Sequence, residues 1–138
     1  MYTLHVDGAS RGNPGKASIG CVLTDTDEEE VFTLSETIGK ATNNVAEYTS
    51  LIRGMEEYIE RDYDDDLSVN MDSLLVVNQV TGKYKTKNLN LMKLRDRVLG
   101  LQGKMKKKPS CSHVRREYNK RADQLANMAL DSAPDNLS

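Results

Sequence analysis

The stretch from Leu4 to Gly15, LHVDGASRGNPG, constrains this chain more than any other. Tyr2, Leu4 and Val6 alternate with Thr3, His5 and Asp7, the period-two pattern of a strand with one face in a core. The apolar pattern stops at Asp7. Gly8, Gly12, Asn13, Pro14 and Gly15 follow, so the segment reads as a strand that ends in a carboxylate beside a tight, backbone-exposing turn. Such a carboxylate either caps the turn or serves chemistry, and alone it does not decide between the two.

Further along, Ala17 to Asp25 and Val31 to Ile38 read as strands, joined across the acidic run Asp25 to Glu30 as an exposed hairpin turn. The period then changes: Val45, Tyr48, Leu51, Ile52, Met55, Tyr58 and Ile59 recur at helical spacing, predicting a helix from about Asn43 to Arg61. Leu67, Val69 and Met71 form a short strand ending in Asp72, and a second helix runs from Ser73 to about Val80. Leu89, Met92 and Leu99 mark a third helix, and Ser110 to Val114 a last strand. The final helix, about Glu117 to Leu130, places Tyr118, Ala122, Leu125, Ala126 and Ala129 on one face. This order predicts an α/β domain, a mixed sheet with helices packed on it, through residue 131, followed by a frayed tail over 132–138.

At 138 residues the chain suffices for one domain with a real core. It has no apolar run long enough to span a membrane, and Met1 leads straight into the first strand without a leader pattern. Cys21 and Cys111 match no metal or redox spacing, so free thiols in a reducing cytoplasm are expected. The net charge of −2 hides an asymmetry. Asp25 to Asp66 holds fourteen acids against three bases, whereas Lys83 to Lys108 holds ten bases against one acid. The basic segment, with Lys106, Lys107 and Lys108 at its end, is either a solvated face or a positive surface for a polyanion.

Four carboxylates occupy comparable places: Asp7 and Asp72 at strand ends, Glu47 in the first helix and Asp123 in the last. Each has a bland explanation. Asn44 and Glu47 have capping-box spacing, Asp72 suits an N-cap, and Asp123 borders an apolar stripe. With their flanking residues, however, the four resemble the motifs of type 1 ribonuclease H. Asp7-Gly-Ala-Ser with Arg11-Gly-Asn-Pro-Gly15 is similar to the first motif, Thr42-Asn-Asn-Val-Ala-Glu47 to the second, Asp72-Ser73 to the third, and Val114 to Ala126 (VRREYNKRADQLA) to the last. The likeness covers Tyr2 to about Leu130 in family order.

The resemblance implies a ribonuclease H-like fold, a five-stranded mixed sheet whose first three strands are antiparallel and whose other two run parallel to the first. It implies an endonuclease cutting the RNA strand of RNA–DNA hybrids, leaving 5′-phosphate and 3′-hydroxyl ends. Asp7, Glu47, Asp72 and Asp123 would be both catalytic groups and ligands of two Mg²⁺ ions, with Mn²⁺ a substitute. Hydrolysis of a phosphodiester needs an activated water and a stabilised leaving oxygen, which two hard cations about 3.5–4 Å apart supply together. Without metal, four crowded acids repel one another.

By the same resemblance, Asn13, Asn43 and Asn44 face 2′-hydroxyls, which their amides suit as both donors and acceptors. Thr42, Asn88 and the nearby charge of Lys40 would hold a DNA phosphate, with Ser73 beside the third acid. Asn119, one turn before Asp123, is the candidate for a supporting role, through a water or the scissile phosphate. The segment Lys83 to Lys108 is too short for the basic protrusion of many members, which points to the short subgroup. His113 lies inside the last strand pattern, with too few residues after it for the mobile loop that carries a histidine elsewhere in the family, and is read as structural. The expected enzyme is monomeric. Duplex RNA remains open as a side substrate, and a catalytically inactive hybrid-binding module is the competing class; the intact acid set argues against it.

Overall fold

A computed structural model describes residues 1–133 of the chain. Five strands form one mixed sheet: β1 (Tyr2–Gly12), β2 (Gly15–Thr24), β3 (Glu30–Ala41), β4 (Leu67–Met71) and β5 (Ser110–His113). Their spatial order is β3-β2-β1-β4-β5, with β1, β2 and β3 antiparallel, β4 parallel to β1, and β5 parallel to β4. The helices are α1 (Asn43–Glu60), α2 (Leu74–Val80), α3 (Leu89–Gly103) and α4 (Lys120–Ser132), the last preceded by a single 3-10 turn over Arg116–Tyr118. None is long and apolar enough to cross a membrane, among the described residues. Of the tail expected over 132–138, Ser132 closes α4, and residues 134–138 lie outside those described.

β1 is the centre of the sheet and is longer than its apolar alternation suggests. It continues past Asp7 to Gly12, paired with β2 throughout, so Asp7 lies mid-strand opposite Gly20. Only the pairing with β4 ends near the acid, at Val6 opposite Met71. Gly8, which the breaker pattern assigns to the turn, is therefore a strand residue. The turn itself is confined to Asn13 and Pro14, and Gly12 enters it at a φ of +119°, which a side chain would strain.

The core fills the space between the sheet and helices α1, α2 and α3. Leu4 and Val6 from β1, Val69 and Met71 from β4, and Leu51, Met55 and Tyr58 from α1 are buried there with Val76 and Val98. Helix α4 packs on the opposite face, with Ala122, Leu125, Ala126 and Ala129 turned inward as its spacing predicts. β2, pressed between α1 and α4, is buried on both faces.

Several local expectations are corrected. Thr42, not Asn44, caps α1, its hydroxyl accepting from Val45 N at 3.3 Å. Ser73, not Asp72, caps α2 by accepting from Val76 N at 3.3 Å, which leaves the Asp72 carboxylate free of that duty. In α3 the buried face is Leu91, Val98 and Leu101, while Leu89 and Leu99 are exposed. Leucines on several sides of α3 make its periodicity ambiguous. Tyr118 sits in the 3-10 turn and is exposed rather than on the inner face of α4.

Lys106 and Lys107 are neither free nor near Asp7. They pair with Asp64 at 2.6 Å and Asp66 at 3.0 Å, in the loop that leads into β4. The Met1 ammonium joins the same loop through Asp65 at 2.7 Å. Tyr2 pairs with Leu67 at this end of the sheet, five residues or roughly 16 Å along β1 from Asp7. Two lysines of the basic run thus answer the acidic loop at the start of β1, away from Asp7.

Candidate active site

Four elements converge on the middle of β1. Asp7 is 4% exposed and Glu47, from the first turns of α1, is 8% exposed. Asp72 follows β4 directly and is half-buried. One carboxylate oxygen from each of Asp7, Glu47 and Asp72 lies within 4.8 Å of the others. Asp123, on the first turn of α4, is close enough to help raise the Asp7 carboxyl but is not part of that group of three.

Few protein groups balance these charges. Glu47 Oε1 accepts from the Gly8 backbone N–H at 2.7 Å, but its Oε2 is buried with no hydrogen-bond partner. Burial first, then the charges of Glu47 and Asp72, push the Asp7 carboxyl far above the ordinary carboxylate range. Burial likewise raises Glu47, although hydrogen bonds from Asp7 and Gly8 and the nearby Arg116 guanidinium oppose it. A buried carboxylate oxygen without a donor, in a set composed entirely of carboxylates, fits a hard divalent cation.

The residues predicted to meet substrate are mostly at the surface. Asn13, Lys40, Asn43, Asn44 and Asn88 are exposed, and Thr42 and Ser73 half-buried. Asn13 Oδ1 accepts from Asn43 N at 3.0 Å and so ties the β1–β2 turn to the start of α1. Asn88 caps α3, its Oδ1 accepting from Leu91 N at 3.1 Å, which leaves its NH₂ group for a partner. Thr42 and Asn88 thus sit at the amino ends of α1 and α3, where unpaired backbone N–H groups favour anions.

Asn119 is different in kind from the expectation. It is 1% exposed, and its Nδ2 donates to Val6 O at 2.9 Å, one residue before Asp7. It is buried against the backbone of β1. His113 ends β5 as its pattern predicts, but it is exposed rather than packed. The sequence reading missed Arg116, whose charge acts on Glu47 from the turn before α4, and the glycines Gly8 and Gly20. A glycine inside a strand pattern marks close backbone approach, and that signal was present at Gly20 between Ile19 and Cys21.

The Reverse transcriptase-like family model matches residues 5–129. Ribonuclease HI of Halobacterium salinarum is 44% identical over 129 residues, which are 94% of this chain and 64% of that protein. The crystal structure of RNase H1 from the same archaeon superposes with a TM-score of 0.92 at 43% identity, covering 96% of this chain and 98% of that one. LC11-RNase H1, solved in complex with an RNA/DNA hybrid, gives a TM-score of 0.91 at 37% identity, over 95% and 97% of the two chains. This chain belongs to the type 1 ribonuclease H family. It spans less than two thirds of the Halobacterium relative's own length and about a third, 35%, of the mycobacterial relatives it also matches.

Proposed function

We propose that this chain is an endonuclease that hydrolyses the RNA strand of RNA–DNA hybrids, leaving 5′-phosphate and 3′-hydroxyl ends. The observation that carries the reading is the meeting of Asp7, Glu47 and Asp72 within 4.8 Å, with one Glu47 oxygen buried and unpartnered. Family membership and the hybrid bound by LC11-RNase H1 support the choice of substrate.

Asp7, Glu47, Asp72 and Asp123 would hold the metal, Mg²⁺ with Mn²⁺ as a substitute. Two such ions, when bound, supply an activated water on one side of the phosphate and neutralise charge at the leaving oxygen on the other. By the family resemblance, Asp7 is the acid that would serve both. The amides of Asn13, Asn43 and Asn44 offer donors and acceptors to 2′-hydroxyls, which only the RNA strand carries. Thr42 and Asn88 receive a phosphate of the DNA strand at the ends of α1 and α3, with Lys40 adding charge. Asn119 supports the acids through Val6 of β1. The enzyme acts as a monomer, in the cytoplasm, and the two free cysteines suit that reducing compartment.

The test is cleavage of labelled hybrid, duplex RNA and duplex DNA with Mg²⁺, Mn²⁺ or a chelator. Cutting confined to the RNA of the hybrid, and lost with chelator, is expected; weaker cutting of duplex RNA would mark a side activity. Tight hybrid binding without cleavage in either metal would favour the inactive binding module instead.

A further inference from the structure

Asp7 is flanked by two glycines that face opposite sides of the sheet. Gly8 follows it in β1, and Gly20 pairs with it across β2. A Cβ on Gly8 would lie 2.2 Å from the Ala46 carbonyl carbon and 2.4 Å from Glu47 N. A Cβ on Gly20 would lie 2.1 Å from Ala122 O and 2.5 Å from Ala126 N. Both collisions are with helix backbone, which no rotamer change relieves. Each glycine therefore admits one helix to the sheet at the turn that carries an acid: α1 with Glu47, α4 with Asp123.

We propose that Gly8 and Gly20 are positioning residues that set how far Glu47 and Asp123 stand from Asp7. Gly8 acts twice, since its N–H also holds Glu47 Oε1 at 2.7 Å. Gly54 supplies the contrast. It too lies between α1 and β1, but a Cβ there would meet only side-chain atoms, Leu4 Cδ2 at 2.9 Å and Val6 Cγ1 at 3.2 Å. Those atoms can give way without moving an acid.

The inference rests on the acids binding metal, so the readout is Mn²⁺ affinity by calorimetry on the whole chain, beside metal-free melting curves. Gly8→Ala and Gly20→Ala are each expected to weaken Mn²⁺ binding about tenfold or more, the usual scale for disturbing the support of a ligand. Gly54→Ala is expected to lose stability with Mn²⁺ affinity kept. Adding Asp123→Glu to Gly20→Ala lengthens the acid on the displaced helix and should recover part of the lost affinity.

Where Gly20→Ala does not fold, Ser18→Thr puts the same question more gently. Ser18 is buried beneath α4 and donates to Ala126 O at 2.6 Å, and threonine keeps that hydroxyl while adding one methyl under the helix. Unchanged Mn²⁺ affinity in the folded glycine variants or in Ser18→Thr, or equal weakening in Gly54→Ala, overturns the inference. A parent chain that binds no Mn²⁺ overturns the metal reading beneath it.

Discussion

The start and the middle of β1 each gather acids, and the protein treats them oppositely. At the start of the strand, Asp64, Asp65 and Asp66 are exposed and answered one for one by Lys106, the Met1 ammonium and Lys107. The hydrogen bond from that ammonium holds Asp65 below the ordinary carboxylate range, and hydrogen bonds to Asp64 and Asp66 raise the two lysines. Farther along, Asp7 and Glu47 are buried, and burial pushes both toward the protonated state. Exposed acids balanced from within the chain need nothing further, and such surface pairs contribute little to stability. Buried acids left unbalanced are costly unless a cation from outside completes them.

The largest expected effect breaks the contrast at its costly end. Asp7→Asn should abolish hybrid cleavage while the chain stays folded, whereas Asp64→Asn and Asp66→Asn should cleave as the parent does. Rate measurements on the three variants check this, and near-parental cleavage by Asp7→Asn would remove the site from the middle of β1.

Next comes metal and pH. Saturating Mn²⁺ at about a hundred times its dissociation constant stabilises a one-site protein by roughly 2.7 kcal/mol, a rise of several degrees in melting temperature. The parent and the Asp64→Asn variant should show that rise, and Asp7→Asn should not. Without metal the sign is set by the raised Asp7 carboxyl. Above about pH 4 the unfolded chain has released that proton while the folded chain retains it, so stability should fall as pH climbs toward the raised value. It is fully present below the ordinary carboxylate range. Melting curves across pH should therefore slope downward in the parent and be flatter in Asp7→Asn. A parent curve no steeper than the variant's would mean the acids do not burden the metal-free fold.

Smaller effects concern the bases. Lys40→Ala should lower the salt dependence of hybrid binding by roughly 0.7–0.9 in slope, the amount expected when one phosphate is no longer neutralised. The double change of Lys106 and Lys107 to Ala should leave that slope where it was, because both already answer aspartates away from the site. A slope that falls for the pair and not for Lys40 would move the hybrid to the other end of the molecule.

The strand and helix order was readable because most elements keep a clean period, β1 and α1 above all. Asp7 as a candidate for chemistry stood out only together with three distant acids and their neighbours. What escaped was information carried by tertiary packing rather than pattern. Gly8 looked like a turn because a strand glycine and a loop glycine have the same letter, and only α1 pressing on it tells them apart. Lys106 to Lys108 stayed open between a solvated face and a polyanion surface because local charge does not reveal that the acids balancing Lys106 and Lys107 lie some forty residues earlier. Asn119 was read as acting through a water or the scissile phosphate because its bond to Val6 O spans 113 positions of sequence.

The sheet order has a consequence for timing. β1, β2 and β3 are neighbours in both sequence and space, so that antiparallel unit has all its parts once the first 41 residues exist. Asp7 belongs to it, but Asp123 lies on the last helix and is synthesised 116 positions later (123 − 7). At 5–20 residues per second, roughly 6 to 23 s pass on the ribosome between the first acid and the last. An emerging chain thus carries its three antiparallel strands long before the fourth acid arrives, and the proposed capacity to cut RNA would be among the last properties it acquires.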